Sequence, residues 1–386
     1  MERQPKKTRA KKPKIRLTIF DVAREAGVST KTVSKVMNNQ PGVSEETRAR
    51  VFRVVRELGY HPHYGARSLR AARRNCVGVA VAPPLGMVPL REDFLVWLLA
   101  KLSTTFSSDG AYLTFDTSRL SEGSMIDYGR GVWERMYDLC FIVGPFPLND
   151  NTINRIHFSG VPYLALGRPV PWESCNYAAV DLERAAYDSA KFLLARGHRR
   201  ILLLSAFEGY SAEWERREGF CRALEESGIR REDAERMIVD AGTRPEHLRD
   251  VLEKALKALE YTAIIDSTAF EDAGAIRMGC AQAGKTPGKD LEVVVWTYEE
   301  EGTILPEASA HVWIPVRKAV LRGIEEVARH LAGGSGEQGP TAASVSRDFG
   351  AGITLPVIQC LEPAVLSTQR QPAVAPRRTI RIVDLL

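Results

Sequence analysis

Residues 18–38 read TIFDVAREAGVSTKTVSKVMN, and this stretch predicts two short helices joined by a tight turn. Thr18 and Asp21 have the spacing of a capping box, and Gly27 is placed to end the first helix. Ser29 can cap the second helix, whose apolar side chains recur at helical spacing while its small polar and cationic side chains face outward. This arrangement is typical of the helix-turn-helix, which lays its second helix in the DNA major groove.

A third helix is predicted after a turn at residues 38–42. Ser44 can cap it and Gly59 can end it, with an apolar stripe between them. The stripe consists of Val51, Val54, Val55 and Leu58. Residues 17–60 are therefore predicted to form a small all-α DNA-binding domain.

Charge is distributed unevenly along the chain. Residues 1–75 hold 19 Lys and Arg against 6 Asp and Glu, whereas the other 311 residues hold 34 against 42. A basic head on an acidic body favours binding of the head to phosphates. We expect residues 1–16 to be a disordered, solvated tail. This tail explains only part of the excess of positive charge, because the rest lies among the predicted helices.

The overall composition, 44% hydrophobic and 26% charged, is that of a globular protein. No apolar run is long enough to span a membrane, and the basic N-terminus lacks the apolar core of a signal peptide. The six cysteines show no metal-binding spacing, as expected of thiols in a reducing cytosol. We therefore expect a cytoplasmic protein.

The string at 18–38, continued by VSEETRARV and ELGYHPHYGARSLR, resembles the DNA-binding head of the lactose/galactose repressor (LacI/GalR) family over residues 18–78. The resemblance implies that the second helix reads double-stranded DNA in the major groove. Its groove-facing residues would be Ser29, Thr30, Lys31, Thr32, Ser34 and Lys35. Each hydroxyl could instead serve as an ordinary helix cap.

The same resemblance assigns roles to single positions. Thr30 and Lys31 would select the operator sequence, while Thr18 and Asn38 would contact phosphates. Lys35 stands where the family more often has arginine. Because lysine lacks the two-pronged donor geometry of arginine, we expect softer base discrimination there.

Residues 61–75 are expected to form a hinge. By the resemblance, it contains a helix that orders on DNA and pairs with its dimer mate in the minor groove. Leu69 would wedge between base steps, with Ala66 against the sugar-phosphate wall. His63 would contact the DNA backbone rather than form a metal pair with His61, since no other ligand cluster accompanies them.

From Cys76 onward, short apolar runs alternate with helical stretches. This alternation predicts an α/β core of parallel sheets in two doubly wound lobes over residues 76–363. A ligand would bind between the lobes, at the carboxyl ends of the strands. The pattern also predicts a helix over 124–136 and a flexible tail over 364–386.

The strings VDLERAA, LARGHRRILLL, RREGF and LPVIQCLEP resemble the ligand-binding core of the same family, which is similar to type I periplasmic sugar-binding proteins. The resemblance implies that Arg216 clasps an effector through its fixed set of donors. Alternatively, Arg216 is an exposed member of the run of charged residues at 215–218. Tyr298 and Phe94, with Trp313, could form an aromatic ligand platform or pack in the core.

Several positions depart from the sugar-binding pattern of the family. Thr268-Ala269 replaces Asn-Asp, Thr297-Tyr298-Glu299 replaces Phe-Asp-Asp, and Gly167 stands where aspartate is frequent. We therefore do not expect a standard hexose clamp. The alternatives are an unusual sugar, a nucleobase-like molecule or no effector at all.

No catalytic or metal-binding motif is found, and GSGEQG at 334–339 opens no helix, so we expect neither catalysis nor a cofactor. The tail lacks leucine heptads, which favours a homodimer. These patterns predict a DNA-binding transcription regulator that represses at a palindromic operator under control of a sugar or sugar-like effector. A solute-binding protein and an α/β enzyme with a DNA-binding head are the alternatives.

Overall fold

The computed structural model describes residues 17–37, 40–60, 76–82, 92–106, 111–117, 127–170, 174–242, 247–268, 270–298, 305–332 and 359–368. They fall into two compact units, one within residues 17–60 and the other within residues 76–368. In the part of the chain so described, no helix is long and apolar enough to cross a membrane.

The first unit contains three helices, α1 (Ile19–Ala26), α2 (Thr30–Met37) and α3 (Glu45–Leu58). Gly27 and Gly59 end α1 and α3 in the left-handed conformation that glycine favours, each at φ 63°. The helices enclose a small apolar core, because their apolar stripes face one another. Its buried members are Val22, Ala23, Ala26, Val33, Val36, Val51, Val54 and Tyr60. The three predicted helices are confirmed.

The second unit contains two lobes, each built on a six-stranded sheet. The strands of the first lobe are β1 (Cys76–Val81), β2 (Tyr112–Thr117), β3 (Leu139–Val143), β4 (Tyr163–Leu166), β5 (Tyr177–Val180) and β11 (Gln359–Glu362). Its helices are α4 (Glu92–Phe106), α5 (Arg130–Trp133), α6 (Thr152–Phe158) and α12 (Val316–Leu331). The strand order is β11-β5-β4-β3-β1-β2, and all neighbours are parallel.

The second lobe repeats this plan. Its strands are β6 (Ile201–Ser205), β7 (Ile238–Asp240), β8 (Ala263–Asp266), β9 (Glu292–Thr297), β10 (Ala310–Trp313) and β12 (Val365–Ser367). Its helices are α7 (Leu182–Ala195), α8 (Ser211–Glu225), α9 (Arg231–Glu235), α10 (Leu248–Ala258) and α11 (Ala273–Gln282). The strand order is β12-β10-β9-β8-β6-β7, parallel except for β12 against β10.

Apolar side chains fill the space between each sheet and its helices. In the first lobe, Leu98 of α4, Phe141 of β3 and Ile324 of α12 are completely buried in one cluster. Burying a side chain of this size contributes about 1.5–3 kcal/mol each. The chain passes between the lobes three times, after β5, after β10 and after β11.

Two predicted elements were wrong in extent. In the described part of 124–136, only Arg130–Trp133 is helical, because Arg135 turns the chain with a positive φ of 52°. The tail expected to be flexible from residue 364 begins with a strand, since Val365–Ser367 pairs with β10. Short elements such as α6, β5 and α9 were not predicted, because they are too brief to show a periodic pattern.

Candidate functional sites

The outward face of α2 lines a recess of about 320 Å³ on the first unit. The lining residues are Ile19, Phe20, Thr30, Lys31, Ser34, Lys35 and Gln40. On the opposite side of α2, Val33 and Val36 are fully buried, and this burial holds the polar face toward the surface. Four of the residues predicted to face the groove therefore share one surface with the start of α1.

The other hydroxyls predicted to touch DNA are engaged in helix caps. Ser29 Oγ accepts the Thr32 N–H at 3.1 Å, and the two side-chain oxygens lie 2.9 Å apart. Thr18 donates to Asp21 Oδ2 through its N–H at 2.9 Å and its hydroxyl at 2.7 Å. These bonds hold the pKa of Asp21 below its usual value. The capping roles that the sequence left open for these hydroxyls are thus observed.

Phe20 and Ile19 line the same recess, although the sequence reasoning did not assign them to it. Phe20 is 71% exposed, which is unusual for a large apolar side chain. It lies off the apolar stripe of α1, and that displacement was the signal available in the sequence. An exposed ring beside Thr30 and Lys31 can contact thymine methyl groups in a major groove.

Asn38, His63, Ala66 and Leu69 lie outside the described residues, so their DNA contacts stay predictions. Among the residues that the structure does describe, no group of three or more His, Cys, Asp or Glu is placed to hold a metal ion. All six cysteines are buried, and none of them forms a disulfide bond.

A group of buried polar residues lies at the carboxyl edge of the second sheet. Ser205 ends β6, Asp266 ends β8 and Thr297 ends β9, and these strands are parallel neighbours whose ends share one edge. Arg216 of α8 reaches the same edge, where its Nη1 donates to Ala206 O at 3.3 Å. Each of the four polar side chains belongs to a buried residue.

Arg216 is 3% exposed, which excludes a place in a surface charge run. Its guanidinium carbon lies 5.7 Å from the centre of the Trp296 ring. Burial lowers the pKa of Arg216, and Tyr298 and Glu215 are the leading groups that oppose this shift. Its Nε has no hydrogen-bond partner among the described residues. A buried donor without a partner fits the prediction that Arg216 binds a ligand.

Asp266 provides an acceptor close to that donor. Its Oδ1 accepts the Thr268 N–H at 3.1 Å and the Thr268 hydroxyl at 2.6 Å. Its Oδ2, like Ser205 Oγ, is buried with no partner in the described part of the chain. Burial raises the pKa of Asp266, while Thr268 and Arg216 oppose the rise. Three unpaired polar atoms at one sheet edge mark a site suited to a polar ligand.

The predicted aromatic residues lie in different places. Tyr298 directly follows β9 and interacts electrostatically with Arg216. Trp313 donates its indole N–H to Tyr298 O at 3.3 Å. Phe94 is partly buried and packs with Trp97, with ring centroids 5.8 Å apart, against the core of the first lobe. The contacts described for Phe94 are thus within the first lobe, whereas Tyr298 borders the polar cluster.

The two lobes are joined by backbone hydrogen bonds between residues 146–148 and 209–211. The Leu148 N–H donates to Gly209 O, and the Ser211 N–H donates to a carbonyl of the first lobe, each at 2.7 Å. The Phe146 N–H also donates to Ser211 Oγ at 3.3 Å. The first lobe is therefore attached to the start of the helix that carries Arg216.

A buried ion pair joins the lobes at the next turn of α8. Arg168 of the first lobe donates to Glu215 Oε2 through Nε at 3.0 Å and Nη2 at 2.6 Å. Asp181 and Glu183 lie 3.8 and 3.6 Å from the same guanidinium. Gly167, which precedes Arg168, has φ 116°, and glycine adopts this conformation most readily, which explains why no aspartate stands there. Because Glu215 adjoins Arg216, the pair positions the helical turn that bears Arg216.

Both units match models of one protein family. Residues 18–63 match the model described as bacterial regulatory proteins, lacI family. Residues 143–286 match the model described as periplasmic binding proteins and sugar binding domain of LacI family. The chain belongs to the LacI family. As a member of this family, it is a DNA-binding transcriptional regulator.

Curated relatives in the LacI family match over most of their length. The transcriptional regulator AglR of Rhizobium meliloti (strain 1021) is 28% identical over 327 residues, which cover 84% of this chain and 89% of the relative. The regulator RafR of Escherichia coli is 27% identical over 323 residues, covering 83% and 93%.

Solved structures of LacI-family regulators share the fold. The lac repressor dimer bound to operator and the anti-inducer ONPF matches with a TM-score of 0.66 at 20% identity, covering 93% of this chain and 99% of that one. The CelR–cellobiose complex matches with a TM-score of 0.57 at 21% identity, covering 92% and 100%. The predicted architecture, a helix-turn-helix followed by a two-lobed core, is confirmed.

Proposed function

We propose that this LacI-family regulator acts in the cytoplasm as a homodimeric repressor that binds a palindromic operator through the exposed face of α2. The observation that carries the proposal is the shared recess on the first unit, in which Thr30, Lys31, Ser34 and Lys35 lie beside the exposed Phe20. Hydroxyl and ammonium groups of α2 beside the aromatic ring of α1 suit base edges and thymine methyl groups. The protein acts by binding rather than by catalysis.

The proposed switch is a sugar or sugar-like effector held at the carboxyl edge of the second sheet. Arg216 Nε, Asp266 Oδ2 and Ser205 Oγ offer a donor, an acceptor and a hydroxyl to a ligand with several hydroxyl groups. The solved CelR–cellobiose complex, which shares this fold, supports a saccharide over other classes. Effector binding would change operator affinity because the ligand favours one arrangement of the lobes.

The DNA-binding part is tested by titrating a palindromic duplex at several salt concentrations. Each phosphate neutralised is expected to contribute about −0.9 to the slope of log K against log salt. Lys35→Ala should weaken binding and relax preference for the operator over scrambled DNA, whereas Lys254→Ala, an exposed lysine on α10, should change neither. A slope near zero, or no preference for the palindrome, would overturn the proposal.

The hinge is tested by DNA bending. Leu69→Ala should weaken operator binding and reduce the bend, because an apolar wedge between base steps kinks the duplex. Unchanged curvature would contradict the wedge. His63→Ala and Ala66→Gly, in the same hinge, should lower affinity without abolishing the bend.

The effector site is tested by thermal shift with neutral saccharides and, as the alternative class, adenosine. A saccharide that raises the melting temperature of the wild type should fail to do so in Arg216→Met. Arg217→Met is the matched control, because the partly exposed Arg217 follows Arg216 on the same helix and pairs with Glu213. Stabilisation by adenosine alone would replace the sugar assignment by a nucleobase-like effector.

A further inference from the structure

Gln40 is an exposed residue between α2 and α3, and it lines the same recess as the groove-facing side chains of α2. No role was predicted for it from the sequence. Its backbone groups are hydrogen-bonded, whereas its side-chain amide has no partner among the residues that the structure describes. An exposed amide of this kind offers two donors and an acceptor to whatever occupies the recess.

The backbone of Gln40 is held at both of its polar groups. Its N–H donates to Lys35 O at 2.9 Å, which ties it to the last turn of α2. Its carbonyl oxygen accepts Arg48 Nη2 at 3.2 Å, which ties it to α3. Arg48 is a firm anchor, because its side chain is only 16% exposed and its Nε lies 3.6 Å from Glu45 Oε1. A side chain on a fixed backbone loses less entropy on binding, which favours discrimination between ligands.

The ammonium group of Lys35 lies over the same segment. A Cβ atom placed on Gly42 would stand 3.5 Å from Lys35 Nζ, so the ammonium group is next to the backbone two residues after Gln40. Gly42 has φ 86°, a left-handed conformation that glycine adopts readily in a turn. Residues 40–42 therefore bring a cation and an amide-bearing residue to one end of the recess.

The two side chains differ in the base that they suit. Lysine offers only donors, which fit the N7 and O6 acceptors of guanine. Glutamine offers a donor and an acceptor side by side, and adenine alone presents the matching pair, N7 and the N6 amino group, in the major groove. Guanine presents two acceptors there, cytosine one donor and thymine one acceptor. A glutamine amide can therefore bind adenine through two hydrogen bonds and each of the other bases through one.

A phosphate contact is the other role open to an exposed glutamine. The amide is neutral, so a phosphate attracts it less than it attracts Lys31 and Lys35, which line the same recess. These two cations already supply attraction to the DNA backbone. A neutral amide beside them is therefore better suited to reading a base edge than to positioning the protein.

From this arrangement we infer that Gln40 is a specificity-determining residue, which reads an adenine in the major groove close to the base contacted by Lys35. Arg48 is its positioning residue, because it holds the Gln40 carbonyl and does not itself line the recess. The inference rests on the proposal that the exposed face of α2 binds the operator. Each half of the palindrome therefore contains one adenine whose selection depends on Gln40.

The test is a selection of preferred sites by the full chain from palindromic duplexes with randomised half-sites. The affinity for single-base variants of the selected site is then measured at constant salt. Wild type is compared with Gln40→Ala, Gln40→Glu and Gln282→Ala. Gln282 provides the matched control, because it is an exposed glutamine at the end of α11, outside the DNA-binding unit.

In Gln40→Ala, we expect the preference for adenine at one position of each half-site to fall about tenfold, with the other preferences unchanged. Gln40→Glu should move the preference at that position to cytosine, because a carboxylate accepts from the cytosine N4 amino group. Arg48→Met should weaken the same adenine preference, whereas Arg48→Lys, which can still donate to the Gln40 carbonyl, should largely retain it. Gln282→Ala should select the same sites as wild type.

Three results would overturn the inference. They are base preferences in Gln40→Ala that equal those of wild type, a loss of affinity in Gln40→Ala by the same factor for every duplex, and a base other than adenine at the affected position. The second result would assign Gln40 to a phosphate contact. Each of the three leaves the proposed function standing, whereas a wild type that selects no sequence at all would refute the proposed function together with the inference.

Discussion

The ion pair between Arg168 and Glu215 allows a quantitative test of how the lobes are held together. Arg168→Met removes the cation while keeping a side chain of similar length. Arg168 is 7% exposed and Glu215 2% exposed, so the substitution leaves a buried carboxylate without its main partner. Breaking a buried pair from one side costs about 3–5 kcal/mol. We expect the free energy of unfolding of the core to fall by that amount at pH 8.

The matched control is Arg277→Met. Arg277 donates to Glu307 from the same two nitrogens, Nε at 3.0 Å and Nη2 at 2.9 Å, but the pair is 46% and 41% exposed. Exposed pairs contribute about 0–1 kcal/mol, because water screens them. The double variant Arg168→Met/Glu215→Leu should recover most of the loss, since it removes the unpaired charge.

The free energy of unfolding of the core, and the loss caused by Arg168→Met, should each depend on pH in a defined direction. Burial raises the pKa of Glu215 to about 7, while Arg168 opposes the rise and Asp181 adds to it. The folded protein therefore keeps a proton on Glu215 above the pH at which the unfolded chain loses it, and wild-type stability falls as pH rises from about 4.5 to about 7. Glu215→Gln should abolish this fall. In Arg168→Met the pKa of Glu215 rises further, so the loss caused by the substitution should be larger at pH 8 than at pH 5.

The measurement is urea unfolding followed by tryptophan fluorescence. All six tryptophans lie beyond residue 76, so the signal reports the core and not the DNA-binding unit. A loss from Arg168→Met no larger than that from Arg277→Met would refute the claim that the pair is a buried interaction between lobes. A loss of equal size at pH 5 and pH 8 would refute the assigned protonation of Glu215.

Two further substitutions test a helix–helix contact and a helix cap. Gly219→Ala should lower the free energy of unfolding of the core by roughly 1–3 kcal/mol and lower its melting temperature. The reason is that the added methyl group would overlap the Glu183 carbonyl oxygen where α7 meets α8. A variant as stable as the wild type would show that the two helices can separate. Ser44→Ala should cost about 1 kcal/mol in the DNA-binding unit, measured by circular dichroism on heating, because Ser44 Oγ accepts the Thr47 N–H at 3.3 Å.

The DNA-binding unit could be predicted almost completely from its sequence. Ser29 and Ser44 start α2 and α3, and glycines end α1 and α3. Those signals act within one or two turns of the chain. The apolar stripe that selects the buried face is likewise local. Phe20 was missed because its role depends on which neighbour it lies beside, and only the packing of α1 against α2 places it next to Thr30.

The ligand-binding core was predicted less completely. The alternation of strands and helices indicated two doubly wound lobes, but α6 and α9 are too short to show periodicity, and β12 is recognisable only through its pairing with β10. The resemblance singled out Arg216, whereas Asp266 and Ser205 were not noticed. Each stands at the end of an apolar run, and nothing in such a run tells a buried strand end from a loop.

By itself, the sequence determined the helix-turn-helix, the alternating core and the uneven charge, because each of these depends on residues within a few positions of one another. Tertiary structure decided which distant side chains meet and in what state. It brought Asp266 to Arg216 and buried the Arg168–Glu215 pair between the lobes. The physical reason is that burial sets the cost of an unpaired polar atom and the pKa of a carboxyl group, and burial exists only after the chain has folded.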